Sequence, residues 1–492
     1  MTSAMEETSV TVIAVSVLAA AVVAFAVSAL LSREPSDAPP ALKEKYWFEQ
    51  TKRFLNNEYE AMMREGMKEH GAAFSLKLAG KRTYYLNSTA PAVQPIMDDF
   101  WKNTDFRKSI YKILNLGLFL TDAEETTERA LHAQMLRTTF NASLGEVSGA
   151  VARVMSKQLD ETLTLSKVVT DPKNFAYTLI ANASATSFLG ANLAANPEII
   201  HMFKNLFADF QRPSIVRMIL PHALKNYARP FLPFKRHHDR LKILVGPTLK
   251  ERLKNPHVEV EDGFSHLMKR TTDEDELLNL ILFLVLASMI TTAGALHNVL
   301  YDLANNPHCM EEIRREMEQI GVGEDGLFTK KQFGSMPYLD AFVRESLIHS
   351  APVSITPRYV KESFPVTSSL VLPKNSICFV IGVDAHTLEK NADGTTAFNP
   401  SRWVPTGESA QQKYSTTSGP DYLIFGGGPY KCPGRFFAVL EIKSAICTIL
   451  ENYDISYPDS VKHVGKMRSI GFTEPALGPD RKQVPLMFAA RD

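Results

Sequence analysis

Residues 425–434, FGGGPYKCPG, constrain this chain more than any other stretch. Gly426, Gly427 and Gly428 let the backbone turn tightly and approach a flat object that side chains would hold away. Pro433 suits the first turn of a helix, where its missing N–H costs nothing. The following RFFAVLEIKSAICTILENY continues at helical spacing. Cys432 therefore stands just before a helix N-terminus, where the dipole and free N–H groups favour a thiolate. A thiolate held this way is a soft ligand suited to haem iron. The competing assignment is a structural cysteine buried in a Gly-Pro loop.

Phe425, Gly428, Cys432 and Gly434 together resemble the haem loop of the cytochrome P-450 family, and Arg435 with FFAVLEIK resembles the helix behind it. The resemblance implies haem b as cofactor, Cys432 as the axial iron ligand, and Phe425, Gly428 and Gly434 as loop residues against it. It implies a mainly α fold with small β-sheets. Arg358, in Ser354-Ile355-Thr356-Pro357-Arg358, resembles the family's propionate-binding arginine. Tyr430 stands where most members place an Arg or His on a propionate; it offers a hydrogen bond but no charge. The segment 124–140 resembles a helix that usually supplies a Trp and an Arg to a propionate. It holds no Trp, and its candidate donors Arg129, His132 and Arg137 read more readily as solvated surface groups.

Two further departures concern the remaining family motifs. Residues 273–304 form the longest helical candidate, about 48 Å if unbroken. Its middle is apolar almost all round, as in a core helix or a membrane span, and the polar interruptions with no flanking basic cluster favour the core. The resemblance places it across the distal face of the haem, where a small residue, an acid and a Thr usually relay protons. Here Thr291 is present and Ile290 takes the acid's place. Glu345 matches the Glu of the family's E-x-x-R motif, but Ile348 occupies the Arg position. The resemblance then leaves Arg402, in Phe398-Asn399-Pro400-Ser401-Arg402-Trp403, and His349 one turn away, to partner Glu345.

Strand signals lie at Ala73–Leu78, at 82–86, and at 365–383, where two apolar runs flank Pro373-Lys374-Asn375 and are expected to pair. Residues 391–421 suggest an irregular meander leading to the loop. Residues 10–31 comprise 22 positions without a charge, enough to span a bilayer as a helix. A cleaved signal peptide is disfavoured by the acidic, Lys/Arg-free flank before it. Arg33, Lys43 and Lys45 after it keep the body cytosolic. The expected organisation is a lumenal 1–9, a single transmembrane anchor at 10–31, a Pro-rich hinge at 32–45 and a haem-binding catalytic domain at 46–492, in the endoplasmic reticulum membrane. Residues 214–233, apolar with interspersed Arg217, Lys225 and Arg229, suit either a surface helix pair or a membrane-proximal channel mouth.

A formal net charge of +0 removes the bulk electrostatic case for nucleic-acid binding. Four scattered cysteines make neither a disulfide framework nor a zinc cluster and fit a reducing compartment. The sequons at Asn87, Asn141 and Asn182 would then stay unmodified. The resemblance, closest in style to fungal microsomal members, implies a monooxygenase acting on an apolar small molecule such as a terpenoid, a steroid or another secondary metabolite. Its electrons would come from NADPH–cytochrome P-450 reductase, docking on a side made positive by Lys431, Arg435 and Lys443. Ile290 raises a second expectation, rearrangement, dehydration or isomerisation on the same haem without net oxygen insertion. The lost arginines raise a third, a non-catalytic haem or lipid binder.

Overall fold

The computed structural model describes residues 35–491 apart from 47, 57, 79–80, 100–101, 115–128, 212–232, 256–260, 352–353, 383–396, 407–411, 421, 460 and 462–483. The expected anchor at 10–31, nearly all of 214–233 and part of the meander at 391–421 lie outside the described residues.

Five helices build the core around the site. They are α1 (Asn141–Leu165), α2 (Pro172–Leu189), α3 (Glu274–Asn305), α4 (Pro337–Ser350) and α5 (Arg435–Asn452). The start of α2 is set by Pro172 in its first turn and by Asp171, whose side chain accepts the Asn174 N–H at 2.8 Å. Small buried residues such as Ala176, Ala181, Ala183 and Ser184 let α2 approach its neighbours closely. Asp273 caps α3 by accepting the Glu276 N–H at 2.7 Å, and three acidic residues fill its first turn, where the dipole favours them. By length and composition α3 could cross a membrane, yet 67% of its most apolar window is buried inside the fold, so it is a core helix. It is not uniformly α-helical. A π turn at Met289–Ala293 interrupts it, a distortion frequent at functional sites.

Among the described residues, ten strands form three sheets. The largest orders β1 (Ala73–Leu78), β2 (Lys81–Asn87), β8 (Ile377–Gly382), β5 (Ser354–Val360) and β3 (Thr104–Asp105), with β2 and β8 parallel and the other pairs antiparallel. A second contains β4 (Val168–Val169), β10 (Leu486–Ala490) and β9 (Tyr453–Ser456). A third pairs β6 (Phe364–Pro365) with β7 (Val371–Leu372). This corrects the pairing expected across Pro373-Lys374-Asn375. Both edges of β8 are already taken, by β2 and β5, so β7 pairs back onto β6 instead.

The proline-rich stretch expected as a hinge at 32–45 is, over residues 39–42, part of the sheet edge. The Ser75 N–H donates to the Pro40 carbonyl at 2.7 Å, its hydroxyl donates to the Pro39 carbonyl at 2.9 Å, and the Leu42 N–H returns a bond to Ser75. Extended prolines keep their carbonyls free, and the outer edge of β1 offers donors to them.

Candidate active site

The glycine-rich loop is held from several sides. Gly426 and Gly428 have φ of 71° and 61°, the left-handed region that favours glycine. A Cβ on Gly428 would overlap the Met97 carbonyl oxygen, so the close approach of that segment demands glycine on steric grounds too. Gly434, by contrast, has an ordinary φ and room for a Cβ. The Cys432 N–H donates to the Phe425 carbonyl at 2.7 Å, closing the loop on itself. Its outward carbonyls are held by side chains. Arg137 donates to Pro429 O at 3.2 Å, Asn141 to Pro433 O at 3.2 Å and Arg435 to Cys432 O at 2.8 Å.

Burial pushes the Cys432 thiol up from its ordinary value. The backbone N–H groups of Gly434 and Arg435 and the charges of Arg435 and Arg137 pull the other way and do not overcome it. The N–H groups at the helix terminus favour the thiolate, as expected, but desolvation is the larger effect. A cation at the sulfur would supply the missing stabilisation.

Arg358 lies on β5 and is fully buried. Its Nη1 donates to the Pro357 carbonyl at 3.0 Å, while Nε and Nη2 meet no acceptor among the described residues. Burial lowers its pKa to about 10. The guanidinium sits 4.5 Å from the centre of the Tyr430 ring and 5.7 Å from that of Phe106. Tyr430 thus meets Arg358 through its ring face. Two unmatched N–H groups on a buried cation are the donor set an anionic carboxylate would satisfy, so the residues present fit a haem propionate.

Thr291 lies in the π turn of α3, and its hydroxyl donates to the Ala287 carbonyl at 2.9 Å. Ala287 and Thr291, one turn apart, are exposed in the middle of a helix whose neighbouring residues are buried or half-buried. They form an open face on α3. Ile290 is half-buried against the main apolar core.

Glu345 is completely buried on α4 and is satisfied by donors other than position 348. Trp403 Nε1–H donates to one carboxylate oxygen at 2.6 Å; the Asn399 N–H donates to the other at 2.8 Å. His349 approaches at 3.2 Å and Arg402 at 3.4 Å. Ile348 itself packs into an apolar cluster with Tyr422, Trp403, Ile424 and Phe425. Arg344, one position before Glu345, lies 3.7 Å over the Tyr422 ring and 4.6 Å from that of Trp403, and donates to Tyr414 O at 2.9 Å. Trp403 and the Asn399 N–H were not anticipated. The signal was the apolar residue at 348, which obliges some other donor to serve Glu345, but it does not say which.

The remaining sequence candidates divide. Arg129 is an exposed partner of Glu276 at 2.7 Å. His132 packs 4.6 Å from the Phe283 ring, and desolvation, then Arg137 and Arg107, lower its pKa to about 4. Arg137 is exposed, as a solvated group would be, yet reaches the loop. Lys443, expected on a positive surface, is instead buried and paired with Asp340 at 2.7 Å. It follows the inward face of α5, where only a paired charge is tolerated. Lys431 and Arg435 remain half-exposed beside the loop.

Comparison with known proteins agrees with this geometry. The profile of the family described as Cytochrome P-450 matches residues 39–479. Monooxygenase 151 of this family from Postia placenta is 27% identical over 66% of this chain and 68% of its own length. Monooxygenase 103 from the same fungus is 24% identical over 82% of this chain and 84% of its own. A cyanobacterial member solved with retinoic acid bound superposes with a TM-score of 0.64 over 92% of this chain and 99% of its own, at 20% identity, which shows the shared fold.

Proposed function

The chain belongs to the cytochrome P-450 family and is a haem b monooxygenase; on that premise we propose that Cys432 is its iron ligand and that it oxidises an apolar small molecule, such as a terpenoid, a steroid or another secondary metabolite, at the open face of α3. The observation that carries this reading is the Cys432 loop, where Gly426 and Gly428 hold positive φ, a Cβ on Gly428 would overlap the Met97 carbonyl, and the backbone N–H groups of Gly434 and Arg435 favour the ionised sulfur.

Haem bound at this loop supplies the reductive activation of dioxygen. The chain's own groups have separable tasks. Arg358 would hold a propionate with Nε and Nη2, and the Tyr430 ring fixes the guanidinium for it. Phe425, Gly428 and Gly434 shape the loop that lies against the cofactor. Glu345, with Trp403, Asn399, Arg402 and His349, fixes α4 to the segment that precedes the loop. Thr291 can turn its hydroxyl from the Ala287 carbonyl to a ligand or a water on the open face. Ile290 keeps that point of the face apolar.

Residues 10–31 serve as an endoplasmic reticulum anchor with the catalytic body in the cytosol, and a membrane-bound NADPH reductase delivers electrons on the loop side. Arg137, Arg435 and Lys431 offer positive charge there. The lack of an acid at 290 favours one second reading, rearrangement of the substrate without oxygen insertion. Microsomes containing the protein and reductase, given a panel of terpenoids and steroids under oxygen-18 gas, separate the two. Oxygen-18 in the product is expected; isomerised product without label would overturn oxygen insertion.

A further inference from the structure

Asp340, Arg344 and Ile348 stand one helical turn apart along one face of α4, and all three are buried. Asp340 accepts the Ser415 N–H at 2.7 Å and the Ser415 hydroxyl at 2.8 Å, with Lys443 of α5 at 2.7 Å from the same carboxylate. Arg344 donates to the Tyr414 carbonyl at 2.9 Å, while its guanidinium lies 3.7 Å from the centre of the Tyr422 ring and 4.6 Å from that of Trp403. Ile348 packs into the apolar cluster that those same two rings form with Ile424 and Phe425. An anion, a cation and a hydrocarbon thus hold, turn by turn, residues between 414 and 425.

These residues lead directly into the cysteine loop. The Tyr422 hydroxyl donates to the Ser415 carbonyl at 2.9 Å, tying the two ends together, and the Ser418 hydroxyl donates to the Gly426 carbonyl. Tyr422 stands three residues before Phe425, whose carbonyl accepts the Cys432 N–H at 2.7 Å. A displacement of Tyr422 is therefore passed on to the backbone that aims the sulfur. Arg344 suits the task of preventing it. A planar guanidinium can lie against a ring and still donate in its own plane to a carbonyl, which a lysine ammonium cannot reproduce, and its attraction to the ring grows when both are desolvated. Trp403 serves two neighbours on α4, giving its N–H to Glu345 and its ring to Arg344. Position 348 contributes by being apolar, because a second cation there would compete for the same two rings.

We propose that Arg344 is a positioning residue for the Cys432 sulfur, fixing it through the Tyr422 and Trp403 rings from the turn of α4 that precedes Ile348. It touches neither the sulfur nor the cofactor and acts through Tyr422 and Phe425 alone. The loop then keeps the one conformation in which the sulfur faces the iron as a thiolate. When the stack is broken, the segment from Tyr414 to Phe425 gains freedom and the sulfur is more readily protonated or withdrawn. The proposal rests on the assignment of Cys432 as the iron ligand.

Two measurements on the full-length, detergent-extracted haem protein test it, both at a temperature where far-UV circular dichroism shows wild type and variants equally folded. The first follows the ferrous carbon-monoxide spectrum with time. Arg344→Met should pass from the red-shifted Soret band to that of neutral ligation on the order of tenfold faster than the wild type. Arg344→Lys keeps the charge without the plane and should recover only part of the loss. Tyr422→Leu should match Arg344→Met, and the two together should add little, because both break one stack. Tyr422→Phe, which keeps the ring, should convert more slowly than Tyr422→Leu. The second measurement is deuterium uptake by the peptide 412–426, read by mass spectrometry. It should rise in Arg344→Met while uptake by α4 itself is unchanged. Conversion of Arg344→Met at the wild-type pace overturns the positioning role, and so does full additivity with Tyr422→Leu. Unchanged uptake by 412–426 overturns the brace. A failure of the Cys432 assignment would appear instead as a wild type without the red-shifted band, and leaves the uptake result standing.

Discussion

Arg358 places two N–H groups inside the fold with no acceptor among the described residues, a costly arrangement unless an anion meets them. Replacing it by Met removes both. Charge-assisted hydrogen bonds contribute about 1.5–3 kcal/mol, so haem affinity in Arg358→Met should fall on the order of ten- to a hundredfold. Transfer of haem to a competing apoprotein measures this. His297 makes a second prediction at the same scale. Desolvation, with a smaller effect of Lys173, lowers its pKa from 6.5 to about 4. Between those values the unfolded chain binds a proton that the folded chain excludes. Stability is therefore full above the ordinary value and falls as pH drops towards 4, by about 3 kcal/mol for this one group. The loss of thermal stability over that range should shrink in His297→Phe. Cys432 and Gly428 were legible in the sequence because a soft ligand and a glycine-rich turn announce themselves locally, and Gly428 indeed holds a positive φ against the Met97 carbonyl; Arg358 was legible through the family resemblance of its segment. Tyr430 was legible as a site residue but not in its contact. That it meets Arg358 with its ring depends on where β5 passes the loop.

The segments around Glu345 behave as one element. The carboxylate already receives Trp403 Nε1–H and the Asn399 N–H, with His349 and Arg402 adjoining, and Ile348 fills apolar space beside Tyr422. Restoring the family's arginine through Ile348→Arg should therefore destabilise the protein, since a charge enters an apolar cluster whose nearby acid is occupied. Trp403→Phe removes one donor while keeping the ring, and should cost about 1–3 kcal/mol. Denaturant unfolding followed by far-UV circular dichroism reads both. The helix α3 and strands β1 and β2 appeared in the sequence at close to their final bounds, because periodicity and burial agree there. The pairing of β6, β7 and β8 did not. Strand partners are chosen by which edges remain free, and a sequence window does not contain that information. Lys443 failed for a related reason: only tertiary packing placed Asp340 opposite it.

Across the whole molecule, the described part of the expected hinge is bound to the body. Residues 39–42 are hydrogen-bonded to β1, so a body starting at 35 keeps its sheet edge whereas one starting at 46 loses it. Removing residues 1–34 should release the protein from sedimenting membranes with its thermal midpoint little changed; removing 1–45 should lower that midpoint. Fractionation and thermal unfolding of the two truncations check the pair. The account as a whole depends on one bond, that of the Cys432 sulfur to haem iron, held despite Ile348 and Tyr430. The most direct test is the ferrous carbon-monoxide difference spectrum of the full-length, detergent-extracted protein beside Cys432→Ser. The account predicts the strongly red-shifted Soret band of thiolate ligation in the wild type and its loss in the variant. A Soret band at the position of neutral axial ligation, or one that Cys432→Ser leaves unchanged, would contradict it.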